Sequence, residues 1–196
     1  HRVDRRQRQM CIRDSSIERP LIFANNDRPG IMLATSAREY LKVYGVLPGK
    51  NPIIFTNNDT AYETAIEFKA YGIDTIILDT RKSSDAGVVQ EAKNLGIEIK
   101  FNHGIANTAG YKKVKSATIG ELTEFKDGYK NLTTIPCDSI FVSGNWTPTV
   151  HLASQSGNKL KYESETDTFL PDRSRQKETV TGSATVSYTH LRAHET

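Results

Sequence analysis

Cysteine, a glycine-rich fingerprint and long apolar runs are what this sequence has little of, and each absence removes a class of function. Only two of the 196 residues are cysteine, Cys11 and Cys137. That is too few for a disulfide framework or a cysteine-rich metal site. No apolar run reaches the ~18 residues a membrane-spanning helix needs, so a soluble, cytoplasmic protein with no membrane partner is expected. No segment repeats at a fixed period.

The charge excess is also an absence once its location is seen. The formal net charge is +3, but the ends carry the excess. The head, His1–Ser15, reads HRVDRRQRQMCIRDS, and the tail, Val186–Thr196, reads VSYTHLRAHET. Neither shows the period of a strand or a helix. The head suits a basic nucleic-acid arm, and a targeting peptide would need an apolar core that it lacks. A third origin accounts for more residues. The DNA of a common transposase-type sequencing adapter contains CAG ATG TGT ATA AGA GAC AG, which encodes Gln9 to Ser15. Its reverse complement, in the frame GTC TCT TAT ACA CAT CT, encodes Val186 to Leu191. One string and its complement thus account for both ends, and residues 1–15 and 186–196 are expected to be non-native.

Setting them aside changes the electrostatics. Head and tail hold six of the 26 Lys+Arg and three of the 23 Asp+Glu, which leaves 20 of each. Without a basic excess the argument for nucleic acid is lost. His103 and His151 are the remaining histidines and Cys137 the remaining cysteine. The 170 residues between the ends are enough for one core of ordinary size.

Along Ser16–Thr185, Leu21-Ile22-Phe23 reads as a strand-like stub before turn residues Asn25-Asn26-Asp27 and Pro29-Gly30. Ile31 to Tyr44 has helical spacing at Leu33, Ala37, Tyr40, Leu41 and Tyr44. Lys50 to Phe101 then gives a β-α-β-α-β pattern. Strands are expected at Pro52–Phe55, Thr75–Leu78 and Ile97–Phe101, with helices near Thr60–Tyr71 and Ala86–Leu95, closed by Gly72 and Gly96. The alternation implies a parallel sheet with crossover helices. Tyr111–Phe125 and Leu132–Thr134 read as short antiparallel strands around Asp127-Gly128, and Ser139–Val142 as a last buried strand. Residues 163–176 read as loop.

A strand, tight loop and helix is where a dinucleotide pyrophosphate sits, because the helix start offers free N–H groups and partial positive charge. The usual fingerprint is G-x-G-x-x-G with an acid about 20 residues on. Here the register holds Thr56, Asn58 and Ala61. Asp59 adds a carboxylate that suits the helix dipole but repels phosphate. Asp79 ends the second strand where a ribose-binding acid belongs, and Arg81 suits a 2′-phosphate. Asn57 and Asn58 can be read as amide donors to an adenine nucleotide; Asn58 or Asp59 can equally be read as a helix cap. His103 reads as a loop residue and Cys137 as a small strand residue without a base partner. Trp146 with Pro148 suits either a cofactor cover or an aromatic lid on the core.

Several segments together resemble one family. ERPLIFANNDRPGIML (Glu18–Leu33), YGVLPGK (Tyr44–Lys50), FTNNDTAY (Phe55–Tyr62) and VSGNWTPTVHLASQSG (Val142–Gly157) are similar to the alpha subunits of heterotetrameric sarcosine oxidases. Opine oxidases, N-methylglutamate dehydrogenase and cyanide synthase share that core. The resemblance implies an FAD/NAD(P)-binding Rossmann-like α/β domain, a parallel βαβαβ with a small β-meander, inserted at residues 50–136. It lies between partial segments of a first dinucleotide-binding domain at 16–49 and 137–185, with Gly182-Ser183-Ala184 starting a last cofactor-side turn. It implies that the chain is an internal fragment and is itself inactive. NAD would be bound mainly upstream, and FAD and FMN would lie elsewhere in a complex with beta, gamma and delta subunits. Thr56, Asn57, Asn58, Asp59, Asp79 and Gly144 are the expected cofactor-side residues, with no catalytic residue and no metal ligand among them. Two alternatives stay open: an assembly module with a vestigial nucleotide site, and a pyridine-nucleotide-disulfide-reductase-like protein, which would want a cysteine pair.

Overall fold

A computed structural model describes residues 10–12, 16–124, 128–164, 168–172 and 178–180, the first and last of these as backbone only. The chain divides into two compact units, Arg19–Asn145 and the segments on either side of it.

The larger unit is built on a five-stranded parallel sheet. Its strands are β1 (Ile31–Leu33), β2 (Pro52–Thr56), β3 (Ile76–Asp79), β4 (Glu98–Phe101) and, after a meander, β8 (Ser139–Ser143). The order across the sheet is β1-β8-β2-β3-β4. The central strands PIIFT and SIFVS are buried along their whole length, which is why they read as unbroken apolar runs. Helices α1 (Ala34–Lys42), α2 (Thr60–Ala70) and α3 (Gly87–Asn94) connect the strands. Gly72 and Gly96 follow α2 and α3 at φ +77° and +72°, a left-handed position that other residues take at a cost.

Strand alternation sends two sets of side chains to opposite faces. Ile54, Ile77 and Phe141 join Ala37, Leu41, Tyr62, Ala65, Phe68, Val89 and Ala92 beneath the helices. Ile53, Phe55, Leu78, Ile140 and Val142 point the other way, to Phe23, Ile105, Val114, Ala117 and Ile119. That second layer is a three-stranded antiparallel meander, β5 (His103–Ala109), β6 (Ser116–Leu122) and β7 (Tyr129–Pro136).

Several expectations are corrected here. Ile31–Leu33 is not the start of a helix: it pairs in parallel with Ile140–Val142, and α1 begins only at Ala34. A short apolar run fits either state, and the partner strand decided. Tyr40 and Tyr44 are exposed, while Ala34, Ala37 and Leu41 form the buried stripe. Leu21-Ile22-Phe23 joins no ladder, although Phe23 packs edge-on against Phe55 at 5.7 Å between ring centroids. The meander starts earlier than expected, at His103, and Tyr111 lies in an exposed turn. Its first strand carries a bulge between Ile105 and Asn107, which blurs the period of two. Asp127 of the expected turn lies outside the described residues. Cys137 is buried between β7 and β8 and belongs to neither. Within the compact unit Arg19–Asn145, β1, α1 and β8 share the sheet and core with the elements of residues 50–136.

In the other unit, Ser16–Glu18 pairs antiparallel with Trp146–Pro148. A one-turn helix follows at His151–Gln155. Leu160–Glu163 and Thr168–Pro171 form an antiparallel pair with Tyr162 and Phe169 in edge contact at 5.4 Å, the second of these strands falling where loop was expected. That cross-strand aromatic pair is a local signal the polar composition masked. Met10–Ile12 pairs in parallel with Glu178–Val180. The rest of the head, the tail and Gly182-Ser183-Ala184 lie outside the described residues.

Asp138 ties β8 to the entry of β2. Its carboxylate accepts the backbone N–H of Lys50 at 2.8 Å and of Asn51 at 2.9 Å. Burial pushes its acidity toward the neutral form, but these N–H donors outweigh that and hold the carboxyl below its usual range. A depressed folded value means stability that is present above the unfolded pKa, ~3.9 for aspartate, and is lost as pH falls through the folded value. Asp138→Asn is expected to flatten that acid limb and to cost about 1 kcal/mol at neutral pH, read from urea midpoints between pH 2 and 7.

Candidate functional site

The chain steps outward from β2 through β3 to β4 and returns as β8 on the other side of β2. Direction therefore reverses at β2, and ligands of such sheets bind beyond the carboxyl ends of the strands at the reversal. Thr56, Asn57, Asn58 and Asp59 leave β2 there, Asp79 ends β3, and Ser143 ends β8. Folding thus brings together all the residues expected from the sequence except Gly144, whose surroundings differ.

The loop after β2 is closed on itself. Asn58 N–H donates to Thr56 Oγ1 at 3.1 Å, and Thr56 Oγ1 donates back to Asn58 O at 3.0 Å. Asn57 N–H donates to Ser143 O at 3.3 Å. The Asn58 side chain joins both sides of the edge. Its Nδ2 donates to Ser143 Oγ at 3.0 Å, and its Oδ1 accepts from Thr60 N–H at 3.0 Å and Thr60 Oγ1 at 2.6 Å. Asn58 therefore serves as the polar cap at the start of α2, while Asp59, the residue at the cap position, makes no such bond.

Asp59 turns instead to the second loop. Its Oδ1 accepts Arg81 Nη2 at 2.7 Å and Ser84 Oγ at 3.0 Å. The same Arg81 Nη2 lies 2.7 Å from Asp79 Oδ2, and Arg81 Nε and backbone N–H meet Asp79 Oδ1 at 3.0 and 2.9 Å. The Tyr62 hydroxyl adds a 2.7 Å bond to Asp79 Oδ2. Asp79 is fully buried, and Arg81 and Tyr62 engage both its oxygens. Its carboxylate is thus turned inward, where the family pattern would offer an acid to a ribose. Burial opposes the Arg81 charge, but the two carboxylates outweigh it and raise its pKa. Burial, then Asp79, push the Tyr62 phenol far above its ordinary value. Tyr62 and Ser84 escaped the sequence reading. The available signal was a phenol one turn into a buried helix, which must find a partner.

Gly144 answers a close approach within the chain. Its N–H donates to Arg19 O at 2.5 Å, and a Cβ there would meet Arg19 O and Pro20 C and O, each at 2.9 Å. His103 opens β5, and its Nδ1 lies 2.6 Å from Phe101 O. Burial, then Asp138, push the Cys137 thiol up to about 11, so at neutral pH it is not the thiolate that redox exchange requires.

The residues present do not fit a dinucleotide pyrophosphate at this loop. Close approach wants glycine where Thr56 and Asn58 carry side chains, the backbone N–H groups of Asn57, Asn58 and Thr60 are satisfied internally, and Asp59 adds negative charge. Among the described residues no helix is long and apolar enough to cross a membrane.

No family model matches the chain. Among curated proteins it is 37% identical over 170 residues to the sarcosine oxidase subunit alpha of Rhizobium meliloti (strain 1021), covering 85% of this chain and 16% of that protein. It is 31% identical over 182 residues to the sarcosine oxidase subunit alpha of Corynebacterium sp. (strain P-1), covering 92% and 19%. The chain thus spans less than a fifth of these relatives' length. Among solved structures it is similar to the thioredoxin reductase of T. acidophilum, with a TM-score of 0.67 at 17% identity over 87% of this chain and 55% of that one. The L-proline dehydrogenase of P. horikoshii gives 0.55 at 20% identity over 87% and 28%. At that identity the likeness is one of fold: a Rossmann-like α/β fold shared with reductases and dehydrogenases.

Proposed function

The chain being a relative of part of the sarcosine oxidase alpha subunits, we propose that it serves within an oxidoreductase that oxidatively demethylates sarcosine or a related N-methyl amino acid. The observation that carries this is the identity of 31–37% spread over 85–92% of the chain. Such a reaction would pass two electrons and two protons from the CH–NH unit, through flavin, to oxygen or another acceptor, and water would hydrolyse the resulting imine to the demethylated amino acid and formaldehyde. In this reading the flavin chemistry lies on a partner subunit, FAD and FMN lie outside this segment, NAD sits upstream, and beta, gamma and delta subunits complete the assembly. The segment alone does not catalyse the reaction.

Within that parent, the Arg19–Asn145 unit acts as a nucleotide-free structural domain. The closed Thr56–Thr60 loop and the inward-turned Asp79 support this over a working dinucleotide site. The disulfide-reductase alternative is disfavoured by the buried Cys137 thiol.

The parent reaction is tested by assembling the complete subunit with its partners and supplying sarcosine. Formaldehyde and glycine should appear in equal amounts. Turnover of an opine, with no N-methyl amino acid accepted, would contradict the substrate class.

A further inference from the structure

We propose that Asp59 and Arg81 fill, from within the chain, the place where a phosphate-bearing ligand would meet this edge, and that Asp59 is the residue that excludes such ligands. The inference rests on the nucleotide-free reading and says what enforces it.

A helix start favours negative charge. Here the chain supplies that charge itself, from Asp59 at the start of α2 and Glu63 in its first turn. Asp59 is free of capping duty because Asn58 holds the Thr60 N–H. Its carboxylate is instead fixed by Arg81 and Ser84. Those are an arginine and a hydroxyl, the donor types that elsewhere hold a phosphate oxygen. The cluster carries two carboxylates, Asp59 and Asp79, against one guanidinium, so its net charge is negative and an incoming phosphate is repelled.

The two carboxylates are not equivalent. Asp79 is fully buried, whereas the Asp59 side chain is 41% exposed. Losing the Asp59 charge therefore leaves the inner Asp79–Arg81–Tyr62 bonds in place. It also releases Arg81 Nη2 from one of its two acceptors and Ser84 Oγ from its own. The outer rim then changes from net negative to neutral, with donors facing outward at a helix start.

The test titrates the 196-residue chain and its Asp59→Asn and Asp59→Ser variants with inorganic pyrophosphate at low ionic strength. Calorimetry reads binding, and far-UV circular dichroism confirms the fold. Wild type should show no saturable binding. At least one folded variant should bind about tenfold or more tightly than any wild-type residual, with affinity falling as salt is added. Asp59→Ser keeps the measurement decisive if Asp59→Asn fails to fold, because serine suits a helix start. Folded variants that bind pyrophosphate no better than wild type would overturn the proposal and leave the nucleotide-free reading standing. Saturable binding of NAD by the wild type would overturn that reading instead.

Discussion

Asp79→Ala is expected to destabilise the chain by about 3–5 kcal/mol, the usual cost of leaving one side of a buried ionic cluster unpaired. Two groups lose their partner at once. The Tyr62 hydroxyl, on a side chain with no exposed surface, keeps its burial without its 2.7 Å acceptor. Arg81 loses the carboxylate that takes its Nε and backbone N–H. Arg81 retains Asp59 and is 28% exposed, so water recovers part of its charge and the lower end of the range is the better expectation. Tyr62→Phe, which removes only the phenol's bond, should cost about 1–2 kcal/mol. Urea unfolding of the three proteins checks both values. An Asp79→Ala midpoint indistinguishable from wild type would mean that the cluster does not hold the edge of the sheet together.

Phe141→Ala should be of similar size for an unrelated reason. Phe141 is fully buried in β8 and meets Phe68 of α2 at 5.1 Å between ring centroids. It stands where the central strands pack against the helices, among Ile54, Ile77 and Ala37. Deleting the ring removes apolar burial and leaves a cavity among side chains that cannot collapse freely, at about 3–5 kcal/mol for such a change. The denaturant slope should stay unchanged, because the loss is local. Phe141→Leu, which keeps most of the volume, should cost less. A small effect of Phe141→Ala would mean that β8 packs loosely against the helices, contrary to the sheet described here.

The parallel sheet was legible because its central strands are buried on both faces and α2 and α3 end on glycine. PIIF, TIIL and SIFV carry no alternation to misread, and Gly72 and Gly96 adopt the left-handed conformation expected of them. What local pattern could not give was anything decided by a distant partner. Ile31–Leu33 took strand geometry only because Ile140–Val142 lies beside it, more than a hundred residues on. The first meander strand was missed because its bulge breaks the period of two. At the site, the sequence placed Thr56 to Asp59 and Asp79 at the sheet edge but left their roles open between ligand contact and helix capping. The distinction lies in side-chain direction. Asn58 caps and bridges to Ser143, Asp59 turns to Arg81, and Asp79 faces Tyr62. None of these is visible in spacing alone. Gly144 was expected on the cofactor side; the close approach it permits in the fold is that of Arg19 and Pro20, which spacing alone does not show.

The most direct measurement of the account is a calorimetric titration of the chain with NAD and with NADP. A domain whose β2 loop is filled by its own side chains should give no saturable heat up to about millimolar ligand, a range that corresponds to binding weaker than about −4 kcal/mol. Saturable one-to-one binding of either dinucleotide in the micromolar range, lost on substitution of Asn57 or Asn58, would contradict it.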